Sequence, residues 1–165
     1  MPSSGRLLFD RPRSGTIVIS AQVVTVIDGY RQHRSCSPES GGVLLGRLME
    51  GTDDVIVDEV TVPTKLDRAG RFFFRRARGP AQQRIRDAWR ETAGTRNYLG
   101  EWHTHPEPDP RPSGHDRADW VRLCSGSSFE QEFLLFLILG QRSIGIWELS
   151  ATDKTGVCCR ARYPL

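Results

Sequence analysis

The chain changes its hydrophobic period several times, and each change marks a predicted element. Thr16 to Ser20 alternates like a short strand. Within Ala21–Arg31 the apolar residues fall at 23, 24, 26, 27 and 30, which predicts a helix despite the β-branched content. Val43-Leu44-Leu45, between Gly42 and Gly46, reads as a short buried strand, and Asp54 to Val62 as the next one, ended by Pro63. Thr64 to Pro80 reads as a loop or lid whose Phe72-Phe73-Phe74 run forms either an edge strand or a clamp over a bound chain. Ile85, Ala88 and Trp89 make a helical stripe over Ala81–Ala93, with Gly94 placed to cap it. A strand over Asn97–His103, a proline-rich loop and a helix from Gly114 to Leu123 follow. Glu132–Leu139, Ser143–Leu149 and Val157–Arg162 read as closing strands, and no segment repeats another.

The order β-α-β-β-α-β-α-β-β-β implies an α/β domain, a mixed β-sheet flanked by helices. At 165 residues the chain suits one domain, expected over residues 15–165 behind a flexible arm of residues 1–14 rich in Arg, Pro and Ser. The longest apolar run, Phe133 to Leu139, is far too short to cross a membrane. The opening residues Met1 to Arg6 lack the apolar stretch of a signal peptide, so a cytoplasmic location is expected. Cys36, Cys124, Cys158 and Cys159 show no C-x-x-C spacing and read as reduced thiols.

Charge alters this picture in one place. The net charge is only +3, yet eight arginines fall between Arg68 and Arg90 against a single acid, Asp87. The stretch is either a solvated face or a docking surface for an acidic partner, because arginine favours bidentate contacts to carboxylates. Neither an RNA-binding signature nor zinc-finger spacing accompanies it, so no nucleic acid is expected as a partner.

The candidate chemistry lies in Gly100-Glu101-Trp102-His103-Thr104-His105-Pro106 and, ten residues beyond His105, Asp116. On a strand, His103 and His105 point to the same face. With Asp116 at a helix start they make a three-ligand zinc site, which leaves the fourth tetrahedral position for water as catalytic sites do. Pro106, Pro108, Pro110 and Pro112 favour polyproline II at about 3.1 Å per residue, which left straight would carry Ser113 on the order of 20 Å away. A shared metal therefore requires this loop to turn back around Asp109-Pro110.

Ser113 and Asp116 also suit a capping box, so Ser113 is equally a helix cap and a catalytic donor at this point. His115, turned about 100° from Asp116 on a helix, should not share the metal. A hydrolytic zinc needs a carboxylate to handle the proton of its water. Glu39, just before a glycine-flanked strand, and Glu101, on the face of His103, are both candidates, and spacing alone does not choose between them.

Glu39-Ser40-Gly41-Gly42-Val43-Leu44-Leu45-Gly46, His103-Thr104-His105-Pro106 and Ser113-Gly114-His115-Asp116 together resemble the JAB/MPN/Mov34 metalloprotease family, also called JAMM. The likeness runs from Ile17 to Leu149. The segment Tyr98 to Pro106 with Ser113 and Trp120 looks like the bacterial branch found with E1- and E2-like proteins, which includes the JAB-domain deconjugases of CBASS anti-phage systems. The resemblance implies a cytidine-deaminase-like fold, zinc on His103, His105 and Asp116, Glu39 as the base and Ser113 as the oxyanion donor. It further implies hydrolysis of the bond after the C-terminus of a ubiquitin-like tail, with E1/E2-like enzymes and their target as partners. A non-catalytic scaffold, or processing of a sulfur-carrier-like precursor, is the alternative. A nucleotide deaminase would need Pro-Cys-x-x-Cys, which the chain lacks.

Overall fold

The computed structural model describes residues 5–162. Eleven strands and three helices occur among them. The main sheet contains β1 (Leu7–Asp10), β2 (Thr16–Ile19), β3 (Gly41–Leu48), β4 (Val55–Val60), β7 (Asn97–Thr104), β8 (Phe133–Leu139), β9 (Ile144–Ser150), β10 (Gly156–Cys158) and β11 (Arg160–Ala161). Their order is β10-β9-β8-β7-β3-β4-β2-β1-β11. The β2–β4 and β7–β8 pairs are parallel and the remaining pairs antiparallel, so the sheet is mixed as expected.

Helix α1 (Ala21–Asp28) packs on β4, α2 (Arg78–Glu91) on β3 and β7, and α3 (Gly114–Gly126) on β8 and β9. Strand β8 shows how the layers meet. Phe133, Leu135, Leu137 and Leu139 join the core that contains Val23 and Ile27 of α1, whereas Leu134, Phe136 and Ile138 pack with Trp120 and Cys124 of α3. A strand covered on both faces needs no polar alternation, which is why this run is uniformly apolar.

Four sequence expectations need correction. The flexible arm does not extend through residues 7–10: these form β1, pair with β2, and bury Phe9 to 1% exposure. Residues 1–4 of that expected arm lie outside the described residues. Val157–Arg162 is two strands at opposite ends of the sheet, β10 on β9 and β11 on β1, joined only by Cys159, whose N–H donates to Ile146 O. The two ends of the sheet therefore meet, and Arg11 beyond β1 pairs with Glu148 of β9 at 2.8 Å across the seam. Third, β3 is far longer than Val43–Leu45, because its glycines continue the strand where adjoining segments, Thr61, Ile56 and Trp102 among them, press close. Finally, Trp89 is 50% exposed, leaving Ala81 and Ala88 as the buried positions of α2.

The loop expected over Thr64–Pro80 carries a separate hairpin, β5 (Arg68–Gly70) and β6 (Phe73–Arg75), and the first turn of α2. Pro80 is tolerated in that turn because its missing N–H would have lacked a helical partner.

Within β7 a bulge determines which side chains face the site. Leu44 pairs with Gly100 but Leu45 with Tyr98, so Leu99 is skipped. Gly100 sits at φ +148°, and a Cβ there would meet the Leu135 carbonyl oxygen. Leu99 and Trp102, three residues apart, therefore enter one core, leaving Glu101 and His103 on the opposite face. No helix among the described residues is long and apolar enough to cross a membrane.

Candidate metal centre

His103 lies within β7, and His105 follows the strand's last residue. The residue between them, Thr104, is fully buried and joins three segments. Its N–H donates to Ser40 O at 2.9 Å, and its hydroxyl accepts from Ser40 N at 3.0 Å. His105 N in turn donates to Leu139 O at 2.9 Å. Thr104 thus fixes the segment bearing Glu39 against the histidine strand. Sequence reasoning passed over it, although a β-branched hydroxyl residue alternating with two histidines was the available signal.

The proline loop does turn back. Gln141 N donates to Glu107 O, Arg142 N to Pro108 O, and Ser143 Oγ to Asp109, while Pro110 is buried. A Cβ on Gly140 would meet Pro110, Glu107 O and Pro108 O, so a glycine there admits the fold-back. The loop returns the chain to α3, whose N-cap is Ser113. Ser113 Oγ accepts from Asp116 N at 3.1 Å, and Asp116 Oδ2 accepts from Ser113 N at 2.6 Å and from its hydroxyl at 2.7 Å. Capping and site-building are the same act here: the box that starts the helix also aims Asp116.

Three donor groups converge. His103 Nε2 lies 3.0 Å from His105 Nε2 and 3.2 Å from Asp116 Oδ1, and His105 Nε2 lies 3.3 Å from Asp116 Oδ2. Taking one ligand atom from each residue, the three lie within 4.8 Å of one another, close enough to gather around a tetrahedral ion with bonds of about 2.0–2.1 Å to nitrogen and oxygen. The triad can hold a metal. Burial works against the Asp116 charge, but hydrogen bonds involving His103, His105 and Ser113 outweigh it and hold the carboxyl well below its usual range. Burial likewise opposes charge on His105, and Asp116, Glu39 and Glu107 together raise its pKa. Two imidazoles facing each other beside a carboxylate are the arrangement a bound cation would satisfy.

Residues 28–150 match the family model described as prokaryotic homologs of the JAB domain. The chain belongs to the prokaryotic JAB-domain family. A Vibrio cholerae protein named CD-NTase/cGAS isopeptidase is 37% identical over 86% of this chain and 87% of its own length. Proteins of the same name from Pseudomonas aeruginosa and Escherichia coli are 37% and 34% identical, over 74% and 89% of this chain and 77% and 90% of theirs. The solution structure of a Desulfitobacterium hafniense protein superimposes with a TM-score of 0.54 at 23% identity, over 83% of this chain and 84% of that one, which speaks for the fold alone.

In this JAB domain the carboxylates separate by environment. Glu39 is 6% exposed, with Oε1 at 4.0 Å from His105 Nε2. Burial pushes its carboxyl up to about 7, a rise opposed by His105 and reinforced by Asp116 and Glu107. Glu101 is instead held by Arg76, which donates to it at 2.5 and 2.8 Å. His115 faces away and pairs with Asp119. Cys36 is exposed, and all four thiols are free. His105 Nδ1 is buried without a hydrogen-bond partner, and the half-exposed Glu107 carboxylate lies 3.8 Å from it. A surface cavity of about 460 Å³ lies at the other end of β7 between Trp89, Asn97, Tyr98 and Phe129. A smaller one of about 250 Å³ opens between Gly41, Gly42, Thr61 and Arg76, beside the Glu39 segment.

Proposed function

We propose that this JAB domain is a zinc-dependent isopeptidase that hydrolyses the bond after the C-terminus of a ubiquitin-like or equivalent conjugated protein. It would act in the cytoplasm within a bacterial E1/E2-like conjugation system of anti-phage defence. The observation that carries the reading is the buried Glu39 carboxyl facing a three-donor cluster that leaves one tetrahedral position free. The isopeptidase names of the relatives support it, and point to a CD-NTase conjugate as the substrate.

Zinc held by His103, His105 and Asp116 would supply Lewis acidity, acidifying water and polarising the scissile carbonyl. Glu39 takes a proton from the attacking water as the carbon–oxygen bond forms. It returns that proton to the departing lysine nitrogen as the carbon–nitrogen bond breaks. Burial raises the Glu39 pKa, the direction that favours this return. Ser113, whose hydroxyl donates to Asp116, turns it to the developing oxyanion. Glu101 takes no part, because Arg76 occupies it.

The test is cleavage of a purified CD-NTase–lysine conjugate by the metal-loaded protein and by Glu39→Gln. The wild type should release both halves, and the variant should keep its metal yet lose at least ~10²-fold in turnover. Equal turnover would remove Glu39 from the mechanism, and no cleavage by either would favour a non-catalytic scaffold.

A further inference from the structure

Of the eight arginines between Arg68 and Arg90, three pair with carboxylates, and five, among them Arg78 and Arg86 on α2, have none at ion-pair distance among the described residues. Arg76 is held by Glu101, Arg84 by Glu59 and Glu91, and Arg90 by Asp87. Arg76 and Arg84 tie this segment to β7 and β4, whereas the exposed Arg90–Asp87 pair runs along α2 alone. Arg68, Arg71 and Arg75, all on the β5–β6 hairpin, are exposed and have no carboxylate at ion-pair distance among the described residues. Arg68 and Arg75 are register partners across the hairpin, an arrangement of like charges that disfavours the fold. Arg71 stacks over the Phe72 ring at 4.6 Å. Asp67, the acid next to Arg68 in the chain, is occupied: its carboxylate accepts from Thr64 N and Ala77 N.

The hairpin is also fastened to the site. Gly70 O accepts from Glu39 N at 2.8 Å, and the Phe74 ring lies against Gly41, which pairs with His103. Around the unpaired arginines Leu66 is 69% exposed and Phe72 67% exposed. A cationic, partly apolar surface is thus held one backbone hydrogen bond from the proposed base.

We infer that Arg68, Arg71 and Arg75 dock an acidic segment of the substrate protein, one carrying Asp or Glu among apolar residues close to the scissile bond. This deepens the isopeptidase reading and rests on it for the nature of the partner. Arginine forks suit carboxylates in two-point contact, and an acidic segment would relieve the Arg68–Arg75 repulsion while covering Leu66 and Phe72. The mild net charge of +3 speaks against a general polyanion binder. The position beside Glu39 favours a polypeptide, because a polypeptide is what must reach that carboxylate.

Binding can be measured apart from catalysis by using the Glu39→Gln protein and fluorescence anisotropy of a labelled peptide rich in Asp, Glu and Leu. Its Asn/Gln counterpart, a single-stranded oligonucleotide and phosphatidylglycerol vesicles serve as comparisons. The acidic peptide should bind best, and binding should weaken as salt shortens the screening length. Arg68→Glu with Arg75→Glu should weaken it at least ~10-fold, and the Gln/Gln pair by less, with unchanged circular dichroism. The inference is overturned by no binding, by equal affinity in both double variants, or by tighter binding to the oligonucleotide or the vesicles. Since no cleavage is read, a failed isopeptidase assay would leave this result standing.

Discussion

The end of β7 and the β5–β6 hairpin both border Glu39, yet they are built on opposite terms. Thr104 is fully buried, His105 is 6% exposed, and their backbones are bonded to Ser40 on one side and Leu139 on the other. The hairpin is a two-stranded excursion whose Arg68, Phe72, Phe73 and Arg75 are exposed, attached through Gly70 O, Asp67 and the Phe74 ring. The contrast teaches where this molecule can afford variation. Groups that must meet within a fraction of an ångström stand on a strand packed from both faces, and groups that meet a partner stand on a segment free to adapt.

The comparison breaks first at Asp116, if the β7 end is as constrained as described. Asp116→Ala should take bound zinc from about one per chain to almost none, read by elemental analysis, while His115→Ala should keep it. Equal loss in both variants would mean that the α3 ligand is misassigned. Next in size is the bulge that orients His103. Gly100→Ala brings a Cβ onto the Leu135 carbonyl at a positive φ and should cost about 2–4 kcal/mol in urea denaturation. An unchanged midpoint would show that β7 shifts freely.

A subtler effect sharpens the same contrast. Metal-bound imidazoles ordinarily direct their other nitrogen to a carboxylate or carbonyl, and Glu107 is the carboxylate near His105 Nδ1. Glu107→Ala should weaken zinc affinity about 10-fold in competition with a chromophoric chelator, without changing the stability of the metal-free protein. Affinity equal to wild type would make Glu107 a bystander. The smallest effect belongs to the hairpin: Phe72→Ser, exposed and remote from the ligands, should move stability by less than about 0.5 kcal/mol. A larger loss would show that the hairpin is part of the core.

Legibility followed how local the physics was. The β8 run, the alternation that pairs His103 with His105, and the Ser113–Asp116 cap all express contacts within a few residues, and each could be read directly. Leu7–Asp10 was missed because a four-residue strand flanked by Arg, Pro and Ser carries no periodic signal, and only its pairing with β2 and β11 makes it one. The length of β3 was hidden because its glycines look like boundaries, whereas they mark close approach to Thr61, Ile56 and Trp102. In the Arg68–Arg90 stretch, nothing local distinguishes an arginine that will meet Glu101 from one that will meet no carboxylate.

Residue types and spacings alone determined the α/β class, the His103–His105–Asp116 donor set and the need for the proline loop to reverse, because strand period, helix capping and polyproline rise are properties of the local backbone. The choice of Glu39 over Glu101 was different. Both are carboxylates at plausible positions, and on the residues alone they stood level until the family resemblance favoured Glu39. In the structure, Thr104 and Ser40 bring Glu39 from a distant segment to 4.0 Å from His105, while Arg76 holds Glu101. The charges and water around a carboxylate are fixed only when segments far apart in the chain are packed together, which is why the residues alone did not separate these two.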